Sequence, residues 1–469
     1  MLHLFAVRLH PSLGVQLVFA GFGGILGYIA VSWAFYFLVE YANLRVVQAS
    51  LGLVALCLLA TAICVFIDSR SVKNKLMAVL GGEISKEIWF LLALIASLYF
   101  TVYTLIHLNL PAQGWDVLDH WGAEGVRFLE HAEEAEGGSF HYENRHPLTV
   151  PLILAWSSSG FFEEAGSKNS WSVWSFPWLM MTLSAAAVTA GWICWFSKST
   201  KYAVVAALLI WTIPLFETQF LVSGYADLVL AIVLLSVIVI LSVAISEEDM
   251  RLAMVGIGFL IFPVLLKNIG IAHAAIVASI FIISWKGRCH SELRLTVMVV
   301  ASAFVIFAAT GALRIETGLF PAIAYIPEGD RVIFGGYSMK VVLPNLHDLL
   351  SVELHSKILN MTFSVCLVIV LLSALLPSDL AETVQARPRA LKIILYFVLL
   401  ELALLFFSNF LDRGLRYAMP GSDTGYSRFS LPVFISGPLL LGGFMSLAKL
   451  SSIRGQCDSR SMSTVTGDL

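Results

Sequence analysis

Residues 224–245 open with Gly224-Tyr225-Ala226-Asp227-Leu228 and continue VLAIVLLSVIVILSVAI, with no charge after Asp227. About 20 apolar residues in a helix cross the hydrocarbon core of a bilayer. In that core only helices and closed barrels satisfy their own backbone groups, and a long unbroken run selects the helix. The rest of the chain repeats the pattern. Further candidate spans are 14–40, 46–67, 87–110, 171–196, 202–217, 252–268, 269–285, 293–313, 358–376, 393–410 and 431–449. The total is about twelve. The apolar segment 148–163 is too short to cross and is expected to be re-entrant or interfacial.

Composition agrees with this reading. The chain is 58% hydrophobic and 13% charged, and its mean hydropathy is +0.84, more apolar surface than a soluble domain needs. A net charge of −3 offers no basic face to nucleic acid. The six cysteines fall in apolar runs (Cys57, Cys64, Cys194, Cys366) or in short polar stretches (Cys289, Cys457). None lies in a long outer loop, so no disulfide is expected. The first apolar run exceeds the length of a cleaved signal and is expected to be retained as the first span.

Basic residues set the expected sidedness. Arg70, Lys73 and Lys75, then Lys198 and Lys201, Arg251, Lys286, Arg288 and Arg294, and Arg387, Arg389 and Lys392 share one side if 148–163 does not cross. That side is assigned to the cytoplasm, together with both termini. Residues 1–450 then form one transmembrane domain, and 451–469 a disordered cytoplasmic tail. Three long polar stretches face outward, 111–147, 314–357 and 411–430, and function is expected there.

The first outer stretch carries Gly114-Trp115-Asp116-Val117-Leu118-Asp119-His120-Trp121-Gly122. Asp116 and Asp119, three apart, share a face if the loop begins helically. Carboxylates there could take a proton from an acceptor hydroxyl or hold a divalent cation, Mg or Mn, through oxygen ligands. A solvated surface acid is the plain alternative, as membrane anchoring is for Trp115 and Trp121. Glu130 to Glu136 is expected to form an amphipathic surface helix with a solvated acidic face. His146 precedes Pro147, which holds the chain extended. It is a candidate for a sugar hydroxyl or simply a loop-end histidine. Arg413, Arg416 and Arg428 in the last outer stretch suit phosphate, because a guanidinium pairs bidentately with its oxygens. They suit a lipid head group or Asp412 and Asp423 equally. Asp227, Glu217, Lys267, His273 and Glu401 lie in or at the mouths of spans, where ionisable groups are costly and need a partner or a polar cavity. Lys267 and Asn268 fall at an expected outer turn. A satisfied core histidine accounts for His273, and a helix–helix hydrogen bond or a functional role for Glu401.

An acidic pair opening the first large outer loop, then Trp121-Gly122, and His146-Pro147 leading to Pro151, resembles the GT-C superfamily of integral-membrane glycosyltransferases. That superfamily includes the protein O-mannosyltransferases, the aminoarabinose lipid A transferases and the RgtA/B/C/D-like bacterial proteins. Gly224 to Leu228 and the segment Ser422 to Arg428 add to the likeness. Where members often read Trp-Gly-x-Lys-Ala, this chain reads Trp121-Gly122-Ala123-Glu124-Gly125.

The resemblance implies an all-α GT-C-like bundle with long outer loops carrying short surface helices. It implies transfer from a polyprenyl-phosphate sugar to a glycan, lipid or protein acceptor at the outer face of a bacterial inner membrane. Asp116 would be the general base and Asp119 its support or a cation ligand. Trp115, Trp121, His146, Tyr225, Asp227 and the three arginines would contact substrate. The sugar, the acceptor and the stereochemical outcome stay open. Two rivals stand beside it: a transporter using Asp227, Lys267, His273 and Glu401, and a polysaccharide polymerase or ligase.

Overall fold

The computed structural model of the protein describes residues 12–60, 62–63, 121–134, 147–159, 175–197, 226–267, 269–285, 323–326, 331–334, 337–340, 387–408 and 435–443, with helical positions at 203, 206–207, 210 and 432. The expected spans 87–110, 293–313 and 358–376 lie outside them. The helices are α1 (Leu13–Glu40), α2 (Val46–Ala60), α3 (Gly122–Glu134), α4 (Thr149–Ser158), α5 (Ser175–Ser197), α6 (Ala226–Glu247), α7 (Met250–Gly258), α8 (Ile261–Leu266), α9 (Gly270–Ser284) and α10 (Arg387–Ser408). Among the described residues three helices are long and apolar enough to cross a membrane: Gly14–Glu40, Met180–Ser197 and Ala226–Glu247.

The apolar run 226–245 makes the central helix. α6 is buried from Ala226 through Ser246, as a helix apolar on every side must be. Its hydroxyls turn inward on the backbone, Ser236 donating to the Ile232 carbonyl at 2.8 Å and Ser242 to that of Val239 at 2.8 Å. Those two hydroxyls are thereby satisfied within an apolar surround, whereas the buried Ser246 hydroxyl has no partner among the described residues. α1 and α5 pack most closely near Gly14 and Gly191. A Cβ on Gly191 would stand 2.6 Å from the Gly14 carbonyl oxygen, so only glycine permits the approach.

One end of the bundle gathers the basic connections. The Trp195 indole donates to Glu247 Oε1 at 2.6 Å, joining the end of α5 to the end of α6. Arg389, near the start of α10, donates to Glu248 at 3.3 Å. The end of α5, the turn 248–249 and the start of α10 therefore meet at one end, and the N-terminal end of α1 joins them through Gly14 beside Gly191 and Trp195. The turn from α6 to α7 is tight. Glu248 takes φ 54°, and Asp249 caps α7 by accepting from the Arg251 and Leu252 amides at 2.8 and 3.2 Å.

Two departures from the sequence reading concern single elements. The expected span 252–268 is broken at Phe259-Leu260 into α7, of 9 residues, and α8, of 6. At roughly 1.5 Å per residue neither crosses alone. Pro263, just inside α8, has no amide to return to Phe259 and so cannot continue the ladder of α7. The second is in the outer stretch 314–357. In place of the expected surface helices, its described residues form an antiparallel sheet, β1 (Ile323–Ile326), β2 (Arg331–Phe334) and β3 (Tyr337–Lys340), in the order β1-β2-β3. Phe334 pairs with Tyr337, so only Gly335-Gly336 separates β2 from β3 in sequence, the two-residue spacing such a hairpin favours.

Candidate functional site: two buried charge pairs and an anchored loop

Asp227 lies in the first turn of α6, where a carboxylate meets the positive end of the helix. It is buried, and Lys267 Nζ pairs with its Oδ1. Lys267 reaches it because the helix stops there. The residue is extended (φ −156°, ψ 149°), and its amide donates back to the Pro263 carbonyl at 3.3 Å. The chain restarts as α9 at Gly270, whose added Cβ would stand 1.8 Å from the Pro263 oxygen. The outer turn expected at Lys267 is thus a break between two short helices, and its ammonium is buried rather than solvated.

A second pair lies deeper. His273 Nδ1 and Glu401 Oε2 are 2.7 Å apart, both buried, and they join α9 to α10. Glu401 Oε1 has no hydrogen-bond partner among the described residues. Counted from the Arg389–Glu248 contact at roughly 1.5 Å per residue, Glu401 is about 18 Å into the bundle and Asp227 about 31 Å. The two pairs therefore occupy different depths.

The first outer loop is fastened at the same end as Asp227. Trp121 is 2% exposed and belongs to the core cluster that holds Ala226, Leu228 and Leu266. From it α3 runs across α4. Phe128 and Leu129 are buried in a satellite core with Phe35, Val39, Leu53 and Leu152, while Glu130 is exposed, as an amphipathic helix requires. Glu124 is buried and accepts from the exposed Arg127 at 2.8 Å. A cation therefore stands one turn beyond the position where the sequence shows an acid. α4 is a buried 10-residue helix, about 15 Å long and half of a hydrocarbon core. The Trp33 indole donates to Thr149 Oγ1 at 3.2 Å, and Ser50 and Ser159 hydroxyls meet at 2.7 Å.

Of the residues proposed from sequence to act on or contact substrate, Trp121 and Asp227 are described: Trp121 lies in the main core, and Asp227 is buried between two of its members, Ala226 and Leu228. Trp115, Asp116, Asp119, His146, Tyr225, Arg413, Arg416 and Arg428 lie outside the described residues, as does the cation expected on Asp116 and Asp119. Among the described residues no group of three or more His, Cys, Asp or Glu could hold a metal ion. Sequence reasoning flagged Lys267, His273 and Glu401 singly and missed their partners, 40 and 128 positions away. Their cost in an apolar run was the only available signal. Comparison with known proteins finds no matching family model, no matching curated protein and no matching solved structure.

Proposed function

We propose that the chain is a GT-C-like membrane glycosyltransferase that moves a sugar from a polyprenyl-phosphate donor to a glycan, lipid or protein acceptor at the outer face of a bacterial inner membrane. One observation carries the reading. Trp121, two residues beyond Asp119, is 2% exposed within the main hydrophobic core, which supports a reading in which the acid-bearing stretch just before it lies against the bundle. A general base must be held within hydrogen-bond reach of the hydroxyl it deprotonates, and an anchored loop meets that need.

In this reading Asp116 takes the acceptor proton, Asp119 supports it, and Arg413, Arg416 and Arg428 receive the departing phosphate. Segment 148–163 is re-entrant at that face. Asp116→Asn should lower transfer from a polyprenyl-phosphate sugar by about 100-fold to 10,000-fold. Transfer unchanged in that variant overturns the proposal. If Asp116 and Asp119 also hold Mg or Mn, chelation removes activity and added cation restores it.

The buried His273–Glu401 pair favours a second reading, a transporter with an intramembrane polar path. Solute uptake into vesicles that falls in Glu401→Gln and survives Asp116→Asn would select it.

A further inference from the structure

The last turns of α1 carry a connected set of rings. Trp33 lies 5.7 Å from Tyr36 and 6.0 Å from Phe37; Tyr36 lies 5.6 Å from Phe37, 6.1 Å from Tyr41 and 5.5 Å from Phe128; Phe37 lies 5.7 Å from Tyr41. Lower on the same helix the rings of Phe19 and Phe22 are fully buried, whereas Phe37 and Tyr41 are 51% and 65% exposed. α1 has 28 residues and so runs about 42 Å, while the hydrocarbon core is about 30 Å thick. The helix therefore overshoots the core by about two turns, and its exposed rings sit at that overshoot.

A second helix sets the level of the charge pair. Between Asp227 and Glu247 α6 has no charged residue, and the two carboxylates are about 30 Å apart along it. Phe22 and Phe259 touch at 4.8 Å between centroids, which fixes a common height. From there Phe37 is 15 residues up α1 and Tyr41 19, about 22 and 28 Å, while Lys267 is 8 residues up through α8, about 12 Å before its side chain is counted.

We infer that the head-group boundary of the leaflet at this end of the bundle lies against Phe37 and Tyr41, above the level of the Asp227–Lys267 pair. The partner is the lipid surface itself. Tyrosine and tryptophan favour that layer because one end of each is apolar and the other wet. The Asp227–Lys267 pair then lies on the hydrocarbon side of that boundary, and His273–Glu401 about 13 Å below the pair by the helical rise. The inference holds whether or not the chain transfers a sugar.

The test uses the full chain in lipid vesicles with photoactivatable phosphatidylcholines, followed by peptide mass spectrometry. One probe carries its diazirine beside the head group, the other at the acyl-chain end. The head-group probe is expected to label Phe37 to Tyr41. Leu56 to Leu59 of α2, whose leucines are exposed, serve as the lipid-access control and are expected to be labelled by at least one of the probes. Labelling of Phe37–Tyr41 by the chain-end probe, or by neither probe while Leu56–Leu59 is labelled, overturns the inference. Because the readout is lipid labelling and not turnover, an inactive enzyme would leave the result unaffected.

Discussion

Lys267 and Asp227 carry opposite charges into an apolar surround, and removing one partner strands the other. Lys267→Met should destabilise the protein by about 3–5 kcal/mol, because an uncompensated buried carboxylate remains. Asp227→Asn with Lys267→Met should recover most of the loss, since the second change removes the stranded charge. Melting of the three proteins in the same detergent checks both statements, and a double variant no better than Lys267→Met would refute the second. The His273–Glu401 contact admits the same cycle. Glu401→Gln keeps a hydrogen-bonding end opposite the imidazole and should cost less stability than Glu401→Leu, which leaves His273 Nδ1 facing methyl groups.

At the scale of elements, close approach rather than polarity decides several contacts. Gly191→Leu puts a branched side chain where a Cβ alone would be 2.6 Å from the Gly14 oxygen. α1 and α5 should part, with a loss of folded yield that fluorescence-detected size exclusion would register. Some elements were legible in sequence and others were not, for distinct reasons. α1 and α6 could be read because an unbroken apolar run admits one solution in lipid. The break at Phe259-Leu260 could not, because apolar residues continue across it and only Pro263 hinted at an interruption. The sheet at 323–340 had its signal in Gly335-Gly336 between runs rich in strand-forming residues, but the stretch 314–357 stood out only as long and polar. Pairings such as Trp33 with Thr149 need the fold first. Of the candidate site, the anchoring of Trp121 and the cost of Asp227 were visible, whereas the ammonium that meets Asp227 was not.

For the whole molecule, sidedness is the open quantity that the geometry makes easy to measure. The end of α5, the turn 248–249 and the start of α10 share one end, and α3 with α4 occupies the other. In right-side-out vesicles a membrane-impermeant thiol reagent should therefore label Glu130→Cys and spare Glu248→Cys until the membrane is opened. Both positions are exposed, so access rather than burial decides the outcome. Equal labelling of the two from outside would mean that they share a face.

The uniform burial of α6 has one more consequence. A rod greasy on every side has no preferred azimuth, and nothing along its middle tells its neighbours how far it has slid. Its indexing falls to its ends: the aspartate clasped by an amine above, and below the glutamates gripped by an indole and a guanidinium, with the Trp192 indole donating to Ser242 five residues further in. Loosen these clasps and the rod should still be helical and still be in the bilayer, yet free to creep along its own axis.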